Sequence, residues 1–97
     1  MKQQEVKAIL KARRADLNKL GVRSLALFGS VARDEVSPGS DVDLLLEIKR
    51  PMGLFGIARI QRYIEQALSG TEVDLVIKSA VIPELKEGIL QDAVRVI

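Results

Sequence analysis

The chain has 97 residues, with 15 Lys and Arg against 13 Asp and Glu, and contains no Cys, His or Trp. This length predicts a single domain over residues 1–97, and 47% hydrophobic with 29% charged residues is typical of a soluble globular protein. The lack of Cys and His excludes disulfides, thiolate or imidazole metal sites, Ser-His-Asp triads and Cys nucleophiles. Any chemistry must therefore use carboxylates, hydroxyls, Lys, Arg and the backbone.

The N-terminal segment is predicted to form one basic helix over about Gln3–Lys19, with Gly21 in the left-handed position beyond its end. Arg13 lies within the apolar face of this helix. It either extends its stem along that face or points towards a site or a partner. Residues 1–23 carry a net charge of +5 and the remainder −3. Such a basic stripe either makes weak contacts with polyanions or is a solvated helix face. The apolar face comprises Val6, Ile9, Leu10, Leu17 and Leu20.

The remainder of the chain is predicted to alternate between strands and helices. Apolar runs predict strands over Val22–Phe28, Asp41–Ile48 and Thr71–Ile77, the second of them too continuously apolar to be an edge strand. Helical spacing and turn residues predict a helical turn at Val31–Arg33, a loop over Asp34–Ser40, helices over Leu54–Leu68 (followed by Gly70) and Pro83–Gln91, and an extended Ala93–Ile97. This order predicts an α/β (α+β) fold, in which helices flank a small mixed sheet of unspecified strand order.

Three carboxylates fall in or beside the predicted strands. Asp41 and Asp43 are two residues apart, so both side chains leave the same face, about 6–7 Å apart along the strand. Asp74 lies within another strand. Asp is depleted in strands, and a buried ionised carboxylate costs several kcal/mol unless it is paired or bound to metal. A shared divalent cation such as Mg²⁺ satisfies all three. Alternatively, Asp41 caps the strand, Asp43 pairs with an Arg and Asp74 faces solvent.

The segment after the first strand has the composition of a phosphate-binding loop. Gly29 lets the backbone approach a phosphate, and the Ser30 hydroxyl is a donor at the start of a helical turn. Arg33 follows on that turn, where it either neutralises phosphate charge or forms a structural ion pair with an aspartate. Alone, Gly-Ser is a weak signal, but its spacing to Arg33 and the Asp pair makes a specific pattern.

These residues carry a resemblance to a known family. The segments Leu27–Arg33 (LFGSVAR), Ser40–Leu46 (SDVDLLL) and Val73–Val76 (VDLV) resemble the minimal nucleotidyltransferase (MNT) proteins of the DNA polymerase β-like superfamily. The resemblance covers nearly the whole chain. Asp34 stands where the family usually has Gly; Asp tolerates the left-handed conformation but adds a negative charge near the expected triphosphate.

The resemblance implies a palm-like nucleotidyltransferase fold and an enzyme that uses ATP and two Mg²⁺ ions to transfer AMP to a hydroxyl. Two cations stabilise both the attacking and the leaving oxygens of such an in-line displacement. The residues implied as metal ligands are Asp41, Asp43 and Asp74, with Asp74 also helping to activate the hydroxyl. The residues implied to bind the nucleotide are Gly29, Ser30, Arg33 and Ser40.

The resemblance also implies a partner, an α-helical HEPN-domain toxin that receives AMP on a tyrosine and is thereby neutralised. Two alternatives are an antitoxin that acts by contact alone and a nucleotidyltransferase that modifies a small molecule. The three carboxylates favour an enzyme, and 97 residues leave little chain for a small-molecule pocket. The lack of a long apolar run or a signal-peptide core predicts a cytoplasmic protein without membrane contact.

Overall fold

The computed structural model describes residues 2–32 and 42–97, with Ser30 and Val31 described by their backbone alone. Two helices at the N-terminus precede the first strand, and strands and helices then alternate. The elements are α1 (Gln3–Ala12), α2 (Arg14–Leu20), β1 (Val22–Phe28), α3 (Gly29–Ala32), β2 (Val42–Ile48), α4 (Leu54–Ala67), β3 (Val73–Ile77), a short 3-10 turn (Lys78–Ala80), α5 (Pro83–Asp92) and β4 (Val94–Arg95).

The described strands form a four-stranded mixed sheet in the order β3-β2-β1-β4. β1 pairs antiparallel with both β2 and β4, whereas β2 and β3 are parallel. A parallel pair needs a crossover connection, and α4 supplies it. The predicted mixed sheet with flanking helices is confirmed, and β2 lies in its interior as its apolar run predicts.

One face of the sheet packs on the helices. Along β2, Val42, Leu44 and Leu46 are fully buried and alternate with residues that leave the opposite face. The aliphatic positions of α1, α2 and α4 complete the same core. The buried cluster comprises Val6, Leu10, Leu17, Val22, Leu25, Leu27, Val42, Leu44, Leu46, Ile60, Ile64, Leu68, Val73 and Val96.

The predicted single helix over Gln3–Lys19 is wrong in one respect, because it is broken at Arg13. This residue has φ −102° and ψ 10°, which ends α1 and begins α2. The break turns an arginine that would fall on the apolar face out to the surface. Its guanidinium carbon lies 6.0 Å from the centroid of the Tyr63 ring. The charge thus stays at the surface beside an aromatic ring, and the two alternatives for Arg13 remain predictions.

The glycines predicted to end helices both have left-handed backbone. Gly21 has φ 106° and its N–H donates to the Asn18 carbonyl. After α4 the reversal takes two residues, Ser69 at φ 58° and Gly70 at φ 83°, and the Gly70 N–H donates to the Glu65 carbonyl at 2.8 Å. Pro83 begins α5 as predicted. In the described ranges, no helix is both long and apolar enough to cross a membrane.

Candidate active site

Two of the three predicted aspartates lie side by side on neighbouring strands. In the parallel pairing of β2 with β3, Asp43 is the partner of Asp74. Paired residues of adjacent strands project from the same face, and the strands are about 4.8 Å apart. On β1, the antiparallel partner of Asp43 is Phe28, the residue before Gly29. The start of β2, the start of β3 and the end of β1 therefore meet at one end of the sheet.

The strand alternation decides which side of the sheet these carboxylates occupy. Val42 and Leu44 flank Asp43 and are fully buried under the helices, so Asp43 leaves the opposite face, where it is half-buried. Likewise, Val73 is buried and Asp74 is exposed. The site consequently lies on the sheet face away from the main core, where a substrate can approach.

Gly29 is in direct contact with the Asp43 carboxylate. It has φ +73°, a left-handed conformation that favours glycine, and a Cβ added there would overlap Asp43 Oδ2 and lie 3.2 Å from its Cγ. Two independent constraints thus require glycine at the β1–α3 junction. The predicted reason for Gly29 is close approach of a phosphate, and the structure adds close approach of the Asp43 carboxylate.

Side chains of the helices hold the backbone on both sides of the site. Gln61 Nε2 donates to the Val73 carbonyl at 2.9 Å, and the Val73 N–H donates to Glu65 Oε2 at 3.0 Å. Both α4 side chains therefore hold the residue that precedes Asp74. On the other side, Gln3 Nε2 donates to the carbonyl of Ala32 at the end of α3, at 2.9 Å. Sequence reasoning missed these three residues, because isolated polar residues on helices show no pattern that indicates a distant backbone partner.

The structure describes the remaining predicted site residues only in part. Ser30 is the second residue of α3 and is described by its backbone. Arg33, Ser40 and Asp41 lie outside the described residues, as does Asp34. The two alternatives for Arg33 therefore stay predictions. In the described ranges no three acidic, His or Cys side chains form a metal-binding group, and Asp41, the third predicted ligand, is not among those residues.

The chemistry of the pair fits a hard divalent cation. Two carboxylates directly opposite each other on adjacent strands repel, which is unfavourable unless a positive charge lies between or beside them. Oxygen-only donors suit Mg²⁺, which is typically held by one or two carboxylates together with water and substrate phosphates. Asp43 and Asp74 therefore have a placement and a ligand type that suit a hard divalent cation.

Comparison with known proteins identifies the class to which this fold and site belong. The family described as "Nucleotidyltransferase domain" matches residues 6–96. The chain belongs to this family, and it is an enzyme of the nucleotidyltransferase class.

Individual relatives show which kinds of nucleotidyltransferase this chain is similar to. The protein adenylyltransferase MntA of Thermococcus cleftensis is 38% identical over 93 residues, which cover 95% of this chain and 89% of that protein. A solved structure of a candidate minimal nucleotidyltransferase has a TM-score of 0.82 and 32% identity, covering 97% of this chain and 95% of that one. A chain in the complex of a tri-AMPylated Shewanella oneidensis HEPN toxin with an MNT antitoxin has a TM-score of 0.66. It is 16% identical and covers 98% of this chain and 71% of that one, a likeness that shows the fold alone.

Proposed function

We propose that this chain transfers AMP from ATP to a tyrosine hydroxyl of a HEPN-domain partner, with Mg²⁺, and so acts as its antitoxin in the cytoplasm. The observation that carries the proposal is the pairing of Asp43 with Asp74 beside the backbone of Gly29. The name of the Thermococcus relative supports a protein acceptor, and the AMPylated HEPN toxin in complex with an MNT antitoxin supports this kind of partner.

In this proposal Asp43 and Asp74, together with Asp41, would hold two Mg²⁺ ions. When bound, such ions supply charge stabilisation to the attacking and leaving oxygens of an in-line displacement. The protein contributes position and electrostatics and forms no covalent intermediate, as is usual for phosphoryl-transfer enzymes. This division of labour suits a chain that contains neither His nor Cys.

The proposed roles of Gly29, Ser30 and Asp74 follow from their places beside Asp43, and those of Arg33 and Ser40 follow from the resemblance to the family alone. Gly29 leaves open backbone beside Asp43, and Ser30 follows it at the start of α3, so both contact the triphosphate. Arg33 and Ser40 complete the nucleotide site. Asp74 is exposed on β3, an edge strand of the described sheet, and faces the incoming acceptor. The acceptor oxygen attacks the α-phosphorus, its proton passes to Asp74, and the bond to the bridging oxygen breaks to release pyrophosphate.

The test is the mass of a co-expressed HEPN-domain partner in the presence of the full chain. We expect an addition of one or more AMP units with the wild-type chain and with Glu5→Gln, which neutralises an exposed carboxylate on α1, a helix on the sheet face opposite the pair. Asp43→Asn should remove the addition while thermal unfolding shows an intact fold. Wild-type mass addition by Asp43→Asn would contradict the assignment of this residue. Protection of cells by Asp43→Asn without AMP addition would show that the chain neutralises its partner by contact alone.

A further inference from the structure

The charge of the molecule is divided between two layers. Residues 2–20 and 49–67 contain ten of the fifteen Lys and Arg but only three of the thirteen Asp and Glu, a net charge of +7 against −5 for the rest of the chain. These residues form α1, α2, α4 and the segment that leads into α4. They cover the sheet face opposite Asp43 and Asp74. We call them the basic layer.

The outer face of α4 combines an exposed aromatic ring with two guanidinium groups. Phe55 is 87% exposed, and Arg59 and Arg62 are exposed four and seven residues further on, along one side of the helix. Ile60 and Ile64 turn the opposite side of α4 into the core. Full burial of a Phe side chain contributes about 1.5–3 kcal/mol, and Phe55 makes almost none of this contribution within the chain.

Three contacts fix the basic helices against one another. The Tyr63 hydroxyl donates to Asp16 Oδ2 at 2.8 Å, which joins α4 to α2 and engages one of the three carboxylates of the basic layer. Arg13 lies over the Tyr63 ring, and Lys49 Nζ donates to Asn18 Oδ1 at 3.0 Å. The cations of α2 and of α4 therefore lie on two helices that side-chain contacts hold together.

Further cations of the basic layer are exposed on α1 and α2. Lys11, Arg14 and Lys19 line a shallow depression on α1 and α2. Together with Arg59 and Arg62, they form no ion pair with any residue of the described ranges. A dense set of cations that has no carboxylate partner among the described residues attracts a polyanion.

We propose that the basic layer binds single-stranded nucleic acid. Its Lys and Arg side chains neutralise successive phosphates, and one base stacks on Phe55 next to Arg59. An exposed aromatic ring beside cations is the combination that binds unpaired bases without sequence preference. A duplex keeps its bases stacked internally, so no base is available to stack on Phe55. An acidic protein would contact the cations but would not require the aromatic ring.

The test is fluorescence anisotropy of the full chain with a labelled single strand of about 12 nucleotides, a length within the usual site sizes. RNA, DNA and duplex probes of the same sequence are compared from low to physiological salt. We expect single strands to bind more tightly than the duplex, and affinity to fall as salt rises, because bound phosphates release counterions. A lack of binding at low salt, or a preference for the duplex, would overturn the proposal.

Two matched pairs of variants locate the surface. Arg59→Glu with Arg62→Glu should weaken binding about tenfold or more, whereas Lys78→Glu with Lys86→Glu makes the same change in net charge outside the basic layer and should weaken it much less.

Phe55→Ala should weaken binding at least about fivefold, as loss of base stacking does, while Leu54→Ala and Phe55→Trp should leave it near the wild-type value. Equal losses within either pair would overturn the assignment. AMP addition to the partner is recorded in parallel, so failure of this proposal is distinguishable from failure of the proposed function.

Discussion

Adjacent residues of β2 point to opposite faces of the sheet, and the two faces have different environments. Val42, Leu44 and Leu46 are fully buried beneath the helices, whereas Asp43, one position out of phase, leaves the opposite face beside Asp74. The core face supplies most of the folding free energy, and the opposite face holds two like charges, Asp43 and Asp74, side by side. Stability and chemistry should therefore be separable by substitutions at adjacent positions of the same strand.

The largest effect on folding is expected on the core face. Leu44→Ala should lower the free energy of unfolding by about 2–5 kcal/mol, because it removes buried methylene groups and leaves a cavity. Leu54→Ala makes the same chemical change at a side chain that is 81% exposed and should shift stability by less than about 0.5 kcal/mol. Urea unfolding measures both. Equal losses in the two variants would contradict the division between the faces.

The face that carries Asp43 and Asp74 should show the reverse behaviour. Asp74→Asn should lower the rate of AMP transfer about 100-fold or more, a loss typical of removing one group that stabilises a transition state. In the absence of metal its stability should equal or slightly exceed that of the wild type, because a like charge opposite Asp43 is gone. Single-turnover transfer and thermal unfolding without Mg²⁺ are the measurements. A variant that loses both activity and stability would show that Asp74 is structural.

Gly29 contacts the Asp43 carboxylate, so its replacement should affect both the stability of the fold and the rate of AMP transfer. Gly29→Ala forces an alanine to φ +73° and pushes its Cβ into the Asp43 carboxylate, so we expect about 1–3 kcal/mol of destabilisation together with a large loss of transfer. Gly88→Ala is the matched control, since a Cβ there meets no atom within 4 Å and alanine favours the α5 helix by up to about 1 kcal/mol. If Gly29→Ala were as stable and active as wild type, the close approach of Asp43 would not be required.

Local patterns predicted most of the elements because the causes of those elements are local. β1 has the bounds that its apolar run predicts, and α5 begins at Pro83, as the proline predicts. The break at Arg13 escaped detection because helical spacing continues on both sides of it and arginine is itself a good helix former.

The residue types of the candidate site could be chosen from the sequence, but their arrangement could not. Gly29, Asp43 and Asp74 stand out because glycine and aspartate are unusual beside or within apolar strands. That Asp43 pairs with Asp74 depends on the register between β2 and β3, which are separated by the whole of α4, and no local pattern encodes it. The contacts of Gln61 and Glu65 with Val73 depend on the same long-range packing.

The smallest expected effect tests whether α4 positions Asp74 through the backbone of Val73. Glu65→Ala removes the acceptor of the Val73 N–H and should cost about 0.5–1.5 kcal/mol of stability, the usual net value of one hydrogen bond. Transfer should fall by about two- to tenfold, because catalytic groups tolerate little displacement. Glu65→Gln keeps a carbonyl oxygen that can accept the same hydrogen bond and should restore most of both quantities. Gln66→Ala, at an exposed position of the same helix, is the control and should change neither.

The kinetic pattern distinguishes positioning from general weakening of the fold. If Glu65 acts through Asp74, the rate of the folded Glu65→Ala enzyme is reduced at saturating ATP, and combining it with Asp74→Asn adds little further loss, since both changes act on one carboxylate. If Glu65 only stabilises the fold, stabilising solutes restore the rate and the two losses multiply. If the two losses multiply, Glu65 contributes only to the stability of the fold. If the double variant is no slower than Asp74→Asn alone, Glu65 on α4 positions Asp74 through the backbone of Val73.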